Sequence, residues 1–444
     1  MEKRRYIPFV TTSITEDICL AILLIPLWWV LGIKFLVFHL IALLTFIKLL
    51  AQRQKTPEKF IFPAEVFFLL GYIALYSLSL LINFKNISTW RFFASLNNLS
   101  FWVMGLLIVF VITNSIKRED ILSFLRSFRN FGIITSVFSL STLLLSIILH
   151  KFIQLQTPLC WLLPDGLREK IIEKAPLLWL SIRPNIITAT HIFKKRKIPR
   201  PEGFNNWATG LAMTMLFAIV LTIAYYKIKK KKKGFTIILT LEFLTLFASM
   251  TRNPIMGLLF AWITVYIIKN IKKSLSLKIL TPALILLVIA ILLIPHNIIK
   301  DTIVDVRLKP TIWRYELYKM TLTQAIEKPI LGYGFKPRKE QYPDPIGSHS
   351  TYIGVIYKTG FLGFLVFMLF WIILLKRWLA QMNPLSEDET LKHAWFYSGI
   401  ALFGGFIYMI TQDLDAPPVV AFLFFVIIGV IISLGKLKKQ AVEK

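Results

Sequence analysis

Cysteine and acidic residues are both scarce in this chain. Only Cys19 and Cys160 are present among 444 residues, too few for a disulfide framework or a cysteine-based zinc site. Asp and Glu total 24 against 52 Lys and Arg, a formal net charge of +28. The six histidines (His39, His150, His191, His296, His349, His393) show no metal-ligand spacing, and no acidic pair is placed to hold a divalent ion. No phosphate-binding Walker A loop, dinucleotide fingerprint or His-Glu-x-x-His run occurs. The expectation is therefore a protein with no metal and no cofactor. No small-residue cleavage site follows the first apolar run after the basic Met1–Arg5 segment, so no cleavable signal peptide is evident.

What the chain does contain is apolar sequence. Hydrophobic residues make up 56% and the mean hydropathy is +0.65, whereas soluble domains sit near ~45–50% apolar. The apolar runs recur along almost the whole length, which favours one membrane domain over 1–444 rather than several soluble ones. They are about 17–25 residues long and do not alternate, as spanning helices require and barrel strands do not. Lipid offers no hydrogen bonds, so the backbone must satisfy itself within each span. The reading is an all-α polytopic membrane protein with twelve spans, roughly 17–32, 34–50, 61–83, 93–113, 131–150, 206–226, 235–250, 254–268, 278–295, 350–375, 394–411 and 417–434.

Charge then orients the spans. Lys and Arg hold short loops in the cytoplasm, so the excess positive charge reads as a topology signal and nucleic acid is not an expected partner. Basic segments fall on alternate loops: Arg53–Lys59, Lys117–Arg129, Lys227–Lys233, Lys269–Lys278, Lys376–Lys392 and Lys436–Lys444. With Lys3, Arg4 and Arg5 inside, both termini are cytoplasmic. Two long loops, 151–205 and 296–349, then lie on the other side and are long enough to carry short helices of their own. The first has ten Lys and Arg against four acidic residues. Long loops cross regardless of charge, and an electropositive surface for an anionic substrate explains the charge equally well.

Three cationic points lie on that non-cytoplasmic side. One is Arg200-Pro201-Glu202-Gly203-Phe204-Asn205-Asn206, leading into the sixth span. A second is Ser249-Met250-Thr251-Arg252-Asn253-Pro254, a tight turn between spans seven and eight. Arg252 has little room to reach solvent there, and membrane-embedded charge is costly; the alternative is an arginine that snorkels to the interface. The third runs from Arg307 to Arg314, followed by Gly332-Tyr333-Gly334 and His349-Ser350-Thr351-Tyr352. Ile312–Lys328 reads as an interfacial helix that Pro329 ends, with Gly332 and Gly334 supplying a flexible turn. His349, opening the tenth span, taken alone reads first as an interfacial histidine bonded to a backbone carbonyl, and second as a group suited to take a proton from a hydroxyl. Asp413 and Asp415 read as a solvated turn.

The order of these motifs resembles the O-antigen ligase superfamily of membrane glycosyltransferases, which includes lipopolysaccharide O-antigen ligases and O-antigen polymerases. The resemblance covers about 200–375. It rests on Arg-Pro-x-Gly-Phe-Asn at 200–205, the short turn with Arg252, Lys328-Pro329-Ile330-Leu331-Gly332-Tyr333-Gly334, His349-Ser350-Thr351-Tyr352 and Gly360-Phe361-Leu362-Gly363. Members usually carry His-Asn where this chain has His349-Ser350, and Ser-Arg-Gly where it has Thr251-Arg252-Asn253. An arginine often stands four residues before the tryptophan; here Lys309 holds that spacing from Trp313, with Arg307 and Arg314 nearby.

The resemblance implies metal-independent, inverting glycosyl transfer at the periplasmic face of a bacterial inner membrane. The donor is a glycan on undecaprenyl pyrophosphate, and the acceptor is a sugar hydroxyl of lipid A–core or of a growing glycan. By resemblance Arg200 and Arg252 hold the pyrophosphate and His349 activates the acceptor. Arg307, Lys309, Arg314 and Tyr352 are further expected contacts. A polymerase would use the same donor and chemistry. A lipid-linked oligosaccharide transporter is the reading from another class, and Glu242 within the seventh span is the residue that favours it.

Overall fold

The computed structural model describes residues 13–55, 59–192, 196–230, 233–270, 308–338, 344–382 and 387–442. The chain is an all-α polytopic membrane protein. Its helices are α1 (Ile14–Leu23), α2 (Ile25–Leu31), α3 (Lys34–Lys55), α4 (Ala64–Ile82), α5 (Thr89–Ser115), α6 (Asp120–Leu149), three short ones, α7 (Pro158–Leu162), α8 (Asp165–Lys174) and α9 (Pro176–Ile182), then α10 (Ala208–Lys229), α11 (Phe235–Ala248), α12 (Arg252–Asn270), α13 (Leu308–Ala325), α14 (Thr351–Ala380), α15 (Glu389–Thr411) and α16 (Pro418–Val442).

Eight of these are long and apolar enough to cross a membrane, and α1 with α2, bent by 55° at Leu24, makes a ninth if the pair counts as one span. Of the twelve expected spans, 278–295 lies outside the described residues. The seventh is short: α11 has 14 residues, a length of about 21 Å at 1.5 Å per residue against about 30 Å of hydrocarbon. It pairs with α12 through the Ser249–Thr251 turn, where Met250 takes a positive φ of 52°.

Helices α10 and α16 are buried almost all round, as expected of helices apolar on every face. They form the centre of the bundle. Outer helices leave Leu81, Ile82, Ile237, Phe247 and Leu259 exposed, an apolar perimeter suited to lipid.

The two ends of the bundle differ in charge. At one end Glu65 accepts two hydrogen bonds from the Arg377 guanidinium (2.5 and 3.0 Å), Arg118 pairs with Asp388 at 2.6 Å, and Asp17 with Lys48 at 2.5 Å. Lys269 stands over Phe396, 5.2 Å from the ring centroid, and Lys230 acts on Glu389. Among the described residues, basic side chains from alternate loops thus meet at one end of the fold.

The opposite end carries the loops. Residues 151–205 were expected to hold short helices, and α7 to α9 are there; a β-hairpin is there as well. Strands β1 (Ile187–Ile192) and β2 (Arg196–Pro201) pair antiparallel with Thr188 opposite Arg200. Alternating Ile and Thr in Ile187-Thr188-Ala189-Thr190 suit an extended strand, a local signal that the surrounding helices masked. The hairpin feeds a buried plug. Phe204 stacks on Phe138 (4.7 Å, 20°) and meets Trp29 edge-on at 5.5 Å. Asn206 Nδ2 donates to Ser181 Oγ at 3.1 Å, and Lys34 Nζ donates to the Phe204 carbonyl at 3.5 Å. Most of the Arg-Pro-x-Gly-Phe-Asn motif is therefore packing.

Candidate functional site

Helix α14 is broken at Gly360, whose φ of 65° and ψ of −172° no helix accommodates. A left-handed φ is readily available only to glycine. The break frees N–H groups, and the motif at 328–334 satisfies them. Phe361 N–H donates to the Pro329 carbonyl (2.7 Å) and Leu362 N–H to that of Ile330 (3.3 Å). In return Tyr333 N–H donates to the Tyr357 carbonyl (2.9 Å) and Gly334 N–H to that of Lys358 (2.8 Å). Tyr333 stacks on Tyr357 at 4.7 Å. A Cβ on Gly332 would sit 2.6 Å from the Tyr357 carbonyl oxygen, and one on Gly360 2.3 Å from that of Ile330. The expected flexible turn is instead a fixed clamp of backbone on backbone. Asn83, at the end of α4, extends it: its Nδ2 donates to the Gly332 carbonyl at 3.2 Å, and its Oδ1 accepts from Lys328 at 2.5 Å.

This clamp positions the nine residues before the break, Thr351–Thr359, and with them His349. The next residue, Ser350, is the N-cap of α14 and its Oγ accepts from Ile353 N–H at 3.4 Å. Serine is a strong N-cap, which suits it to the position after His349. His349 itself has a φ of 64°; for a residue with a Cβ this costs on the order of 1–3 kcal/mol and is held only where the surroundings impose it. Four groups do so. Asp413 Oδ2 accepts from His349 N–H (3.2 Å), and Tyr318 O–H donates to its carbonyl (2.5 Å). The ring lies edge-to-face with Trp313 at 5.2 Å, and Nε2 is 2.8 Å from Asp344 Oδ2. Burial raises the Asp344 carboxyl, but the His349 contact and the charges of Arg314 and Arg338 outweigh it and hold Asp344 below the usual carboxylate range.

The turn between α15 and α16 is not solvated as expected. Asp413 pairs with Lys336 at 2.9 Å with both side chains largely enclosed. Asp415 is 3% exposed and forms an ion pair with Lys358, while Trp102 Nε1 donates to it at 3.3 Å. Lys358 also lies over the Tyr76 ring, 4.7 Å from its centroid. Trp102 is thirteen residues into α5, about 20 Å along that helix, so the turn is recessed into the bundle. Burial raises the Asp415 carboxyl, yet Lys358 and Lys336 together hold it below the ordinary range. A lysine within an apolar span was the available signal for this pair.

The cationic candidates divide into groups. Arg252 opens α12, exposed, and its neighbour Asn253 donates to Thr411 Oγ1 at 2.7 Å; Thr351 N–H in turn donates to the Gln412 carbonyl at 3.1 Å. Arg252 is thereby tied to the turn that holds His349. Arg314 acts on Asp344 and Tyr318, and its buried Nε has no hydrogen-bond partner among the described residues. Burial pushes the Tyr318 hydroxyl above its ordinary range. Lys309 falls in the first turn of α13; Arg307 lies outside the described residues. Tyr352 is buried, 6.1 Å from the Phe367 ring, so its side chain faces the core.

Arg200 belongs to the hairpin group. There burial pushes the Glu202 carboxyl up to about 8, against a Thr188 hydrogen bond and the charges of Lys34 and Arg200. Glu242, the feature of a transporter, is buried beside Gly132 and accepts from Thr222 Oγ1 at 2.9 Å.

Lys336, Arg338, Asp344 and Tyr318 also surround His349 and were not singled out from sequence, and Asp413 had read only as part of a solvated turn. Among the described residues no three His, Cys, Asp or Glu side chains converge as a metal site. The arrangement can do two things chemically: accept a proton at a fixed imidazole, and attract an anion with exposed guanidinium groups.

Residues 235–368 match the family model described as O-antigen ligase. That segment, from α11 through the Gly360 break, is similar to the O-antigen ligase superfamily. It contains Arg252, Arg314 and His349; Arg200, Asp413 and Asp415 lie outside it. No curated protein matches the chain.

Proposed function

We propose, on the premise that residues 235–368 form an O-antigen ligase domain, that this protein transfers a glycan from undecaprenyl pyrophosphate to a sugar hydroxyl of lipid A–core. The observation that carries the reading is His349, held in a strained backbone by Asp413 and Tyr318 and paired with Asp344, on which Arg314 and Arg338 act. The acceptor oxygen attacks the anomeric carbon while His349 takes its proton. The bond from that carbon to the phosphate oxygen breaks, and the electron pair leaves with the pyrophosphate. Back-side attack inverts the anomeric centre. Arg252 and Arg200 stabilise the negative charge that builds on phosphate, most effectively where water is excluded. The loop-rich end is the periplasmic face of a bacterial inner membrane, and the basic end, with both termini, is cytoplasmic.

The decisive assay is consumption of a lipid-linked glycan by the purified protein, with lipid A–core present or absent. Turnover only with lipid A–core supports the ligase. Chain extension without it identifies a polymerase, and loss of neither lipid nor glycan identifies a carrier. In the same assay Arg252→Ala and Arg200→Ala should raise the donor concentration needed for half-maximal rate, by roughly 10-fold or more for one charge-assisted pair at ~1.5–3 kcal/mol. Lysine at either position should rescue only part, because a point charge lacks the bidentate fork. Wild-type donor dependence in both alanine variants would remove the pyrophosphate assignment.

The orientation has its own test. Membrane-impermeant thiol labelling from the periplasm should reach a cysteine placed at Arg338 and not one placed at Lys230, in a background lacking Cys19 and Cys160. The opposite pattern would invert the fold in the membrane.

A further inference from the structure

We infer that Asp344 is a positioning residue that selects the tautomer of His349, so that Nδ1 and not Nε2 is the nitrogen that receives the acceptor proton. The inference rests on the proposed base role of His349 and deepens it.

The geometry assigns the two nitrogens different work. Nε2 is 2.8 Å from Asp344 Oδ2. An ionised carboxylate only accepts hydrogen bonds, and against the effect of burial the His349 contact, with the charges of Arg314 and Arg338, favours the ionised form of Asp344. Nε2 must therefore carry the hydrogen and donate it. A neutral imidazole has one N–H, so the lone pair is on Nδ1. Nδ1 has no hydrogen-bond partner among the described residues, and the imidazole ring stays 22% exposed, which leaves that lone pair available.

The rest of the surroundings keeps this arrangement from rotating. Trp313 stands edge-to-face at 5.2 Å and 81°, filling space that a turned ring would enter. The backbone on both sides is pinned, N–H to Asp413 and carbonyl to Tyr318. Asp413 cannot take over the ring contact, because its other oxygen is committed to Lys336 at 2.9 Å. The same carboxylate that fixes the tautomer also stabilises the imidazolium once the proton arrives. During transfer the acceptor O–H bond breaks, the proton moves to Nδ1, and the charge is shared along the ring to the Nε2–H···Asp344 contact. A carboxylate that orients a catalytic imidazole acts in this way without taking the proton itself.

Among the described residues the Asp344 side chain hydrogen-bonds only His349 and is 42% exposed; its loss should leave the fold intact. Two measurements test the proposal. The first needs no substrate: nitrogen NMR of the histidine-labelled full-length protein in detergent, with His349 assigned by the spectrum of His349→Gln. The expected state is the Nε2–H tautomer, shifting to a mixture in Asp344→Asn. The second is single-turnover transfer from an undecaprenyl-pyrophosphate-linked glycan. Asp344→Asn should lower the rate at saturating donor at least 10-fold with the half-saturating donor concentration within 2-fold, and Asp344→Glu should recover part of it. An Nδ1–H tautomer in the unmodified protein, or an Asp344→Asn rate equal to wild type, would overturn the inference. A His349→Ala variant at wild-type rate would instead overturn the base role itself, which the tautomer measurement leaves untouched.

Discussion

Replacing His349 by alanine is expected to lower the single-turnover rate at saturating donor by about 10²–10⁴-fold, the usual contribution of a positioned base, with donor affinity nearly unchanged. In the proposed mechanism guanidinium groups on other elements hold the donor, so the imidazole enters only when the acceptor loses its proton. Glutamine should do little better than alanine: an amide holds a hydroxyl by hydrogen bond but does not accept its proton. The competing role is a brace, since His349 also connects α13, the 412–417 turn and α14 through its backbone. Those contacts use N–H and C=O groups that every non-proline residue retains. A glutamine variant at near-wild-type rate would therefore remove the base role. Glycine at 349 separates the two effects further. It relieves the strain of φ 64° while removing the ring, so it should be at least as stable as alanine and no more active.

The second large effect is on stability. Lys358→Met should destabilise the protein by about 3–5 kcal/mol, because it leaves a buried carboxylate without its direct ion-pair partner. Asp415 is enclosed, and its remaining hydrogen bond from Trp102 is a single neutral donor. The double variant Lys358→Met with Asp415→Leu should recover most of that loss, since replacing a whole buried pair by apolar residues is commonly neutral or better. Thermal unfolding in detergent, followed by size-exclusion profile, reads both. A single variant with wild-type stability would mean that the turn opens to water and the pair is not structural. Activity is a separate readout here, because the pair lies under the turn that carries Asp413 and so supports His349 indirectly.

The contrast between the two clusters shows where local sequence stops being informative. His349 was visible because a titratable residue opens an apolar span after a loop. Lys358 and Asp415 are 57 residues apart and neither stands in a motif. Lys358 is one charge within a long apolar run, and Asp415 read as part of a solvated turn. Only the break at Gly360 and the recessed turn bring them together. Asp344 and Lys336 were equally silent, because a loop acid and a loop lysine are unremarkable until a histidine and a second acid are placed against them.

The glycine motif was legible as a motif and misread as physics. Glycines after a proline suggest freedom, yet here their use is the absence of a Cβ: Gly332 and Gly360 let two backbones touch. Sequence records that a residue is small, but not which surface it must admit.

By itself the sequence determined the class of protein and which loops carry the basic charge. Apolar runs long enough to span lipid force helices, because each backbone polar group must be satisfied within its own segment. Alternating basic loops then place the charge at one end, where the Arg118, Arg377 and Lys269 contacts meet. The tertiary structure alone decided which charges are partners and what holds His349. Those are pairings between residues tens to hundreds apart, such as Glu65 with Arg377 and Trp102 with Asp415. No periodicity encodes such pairings, because each depends on where two separate helices happen to stop.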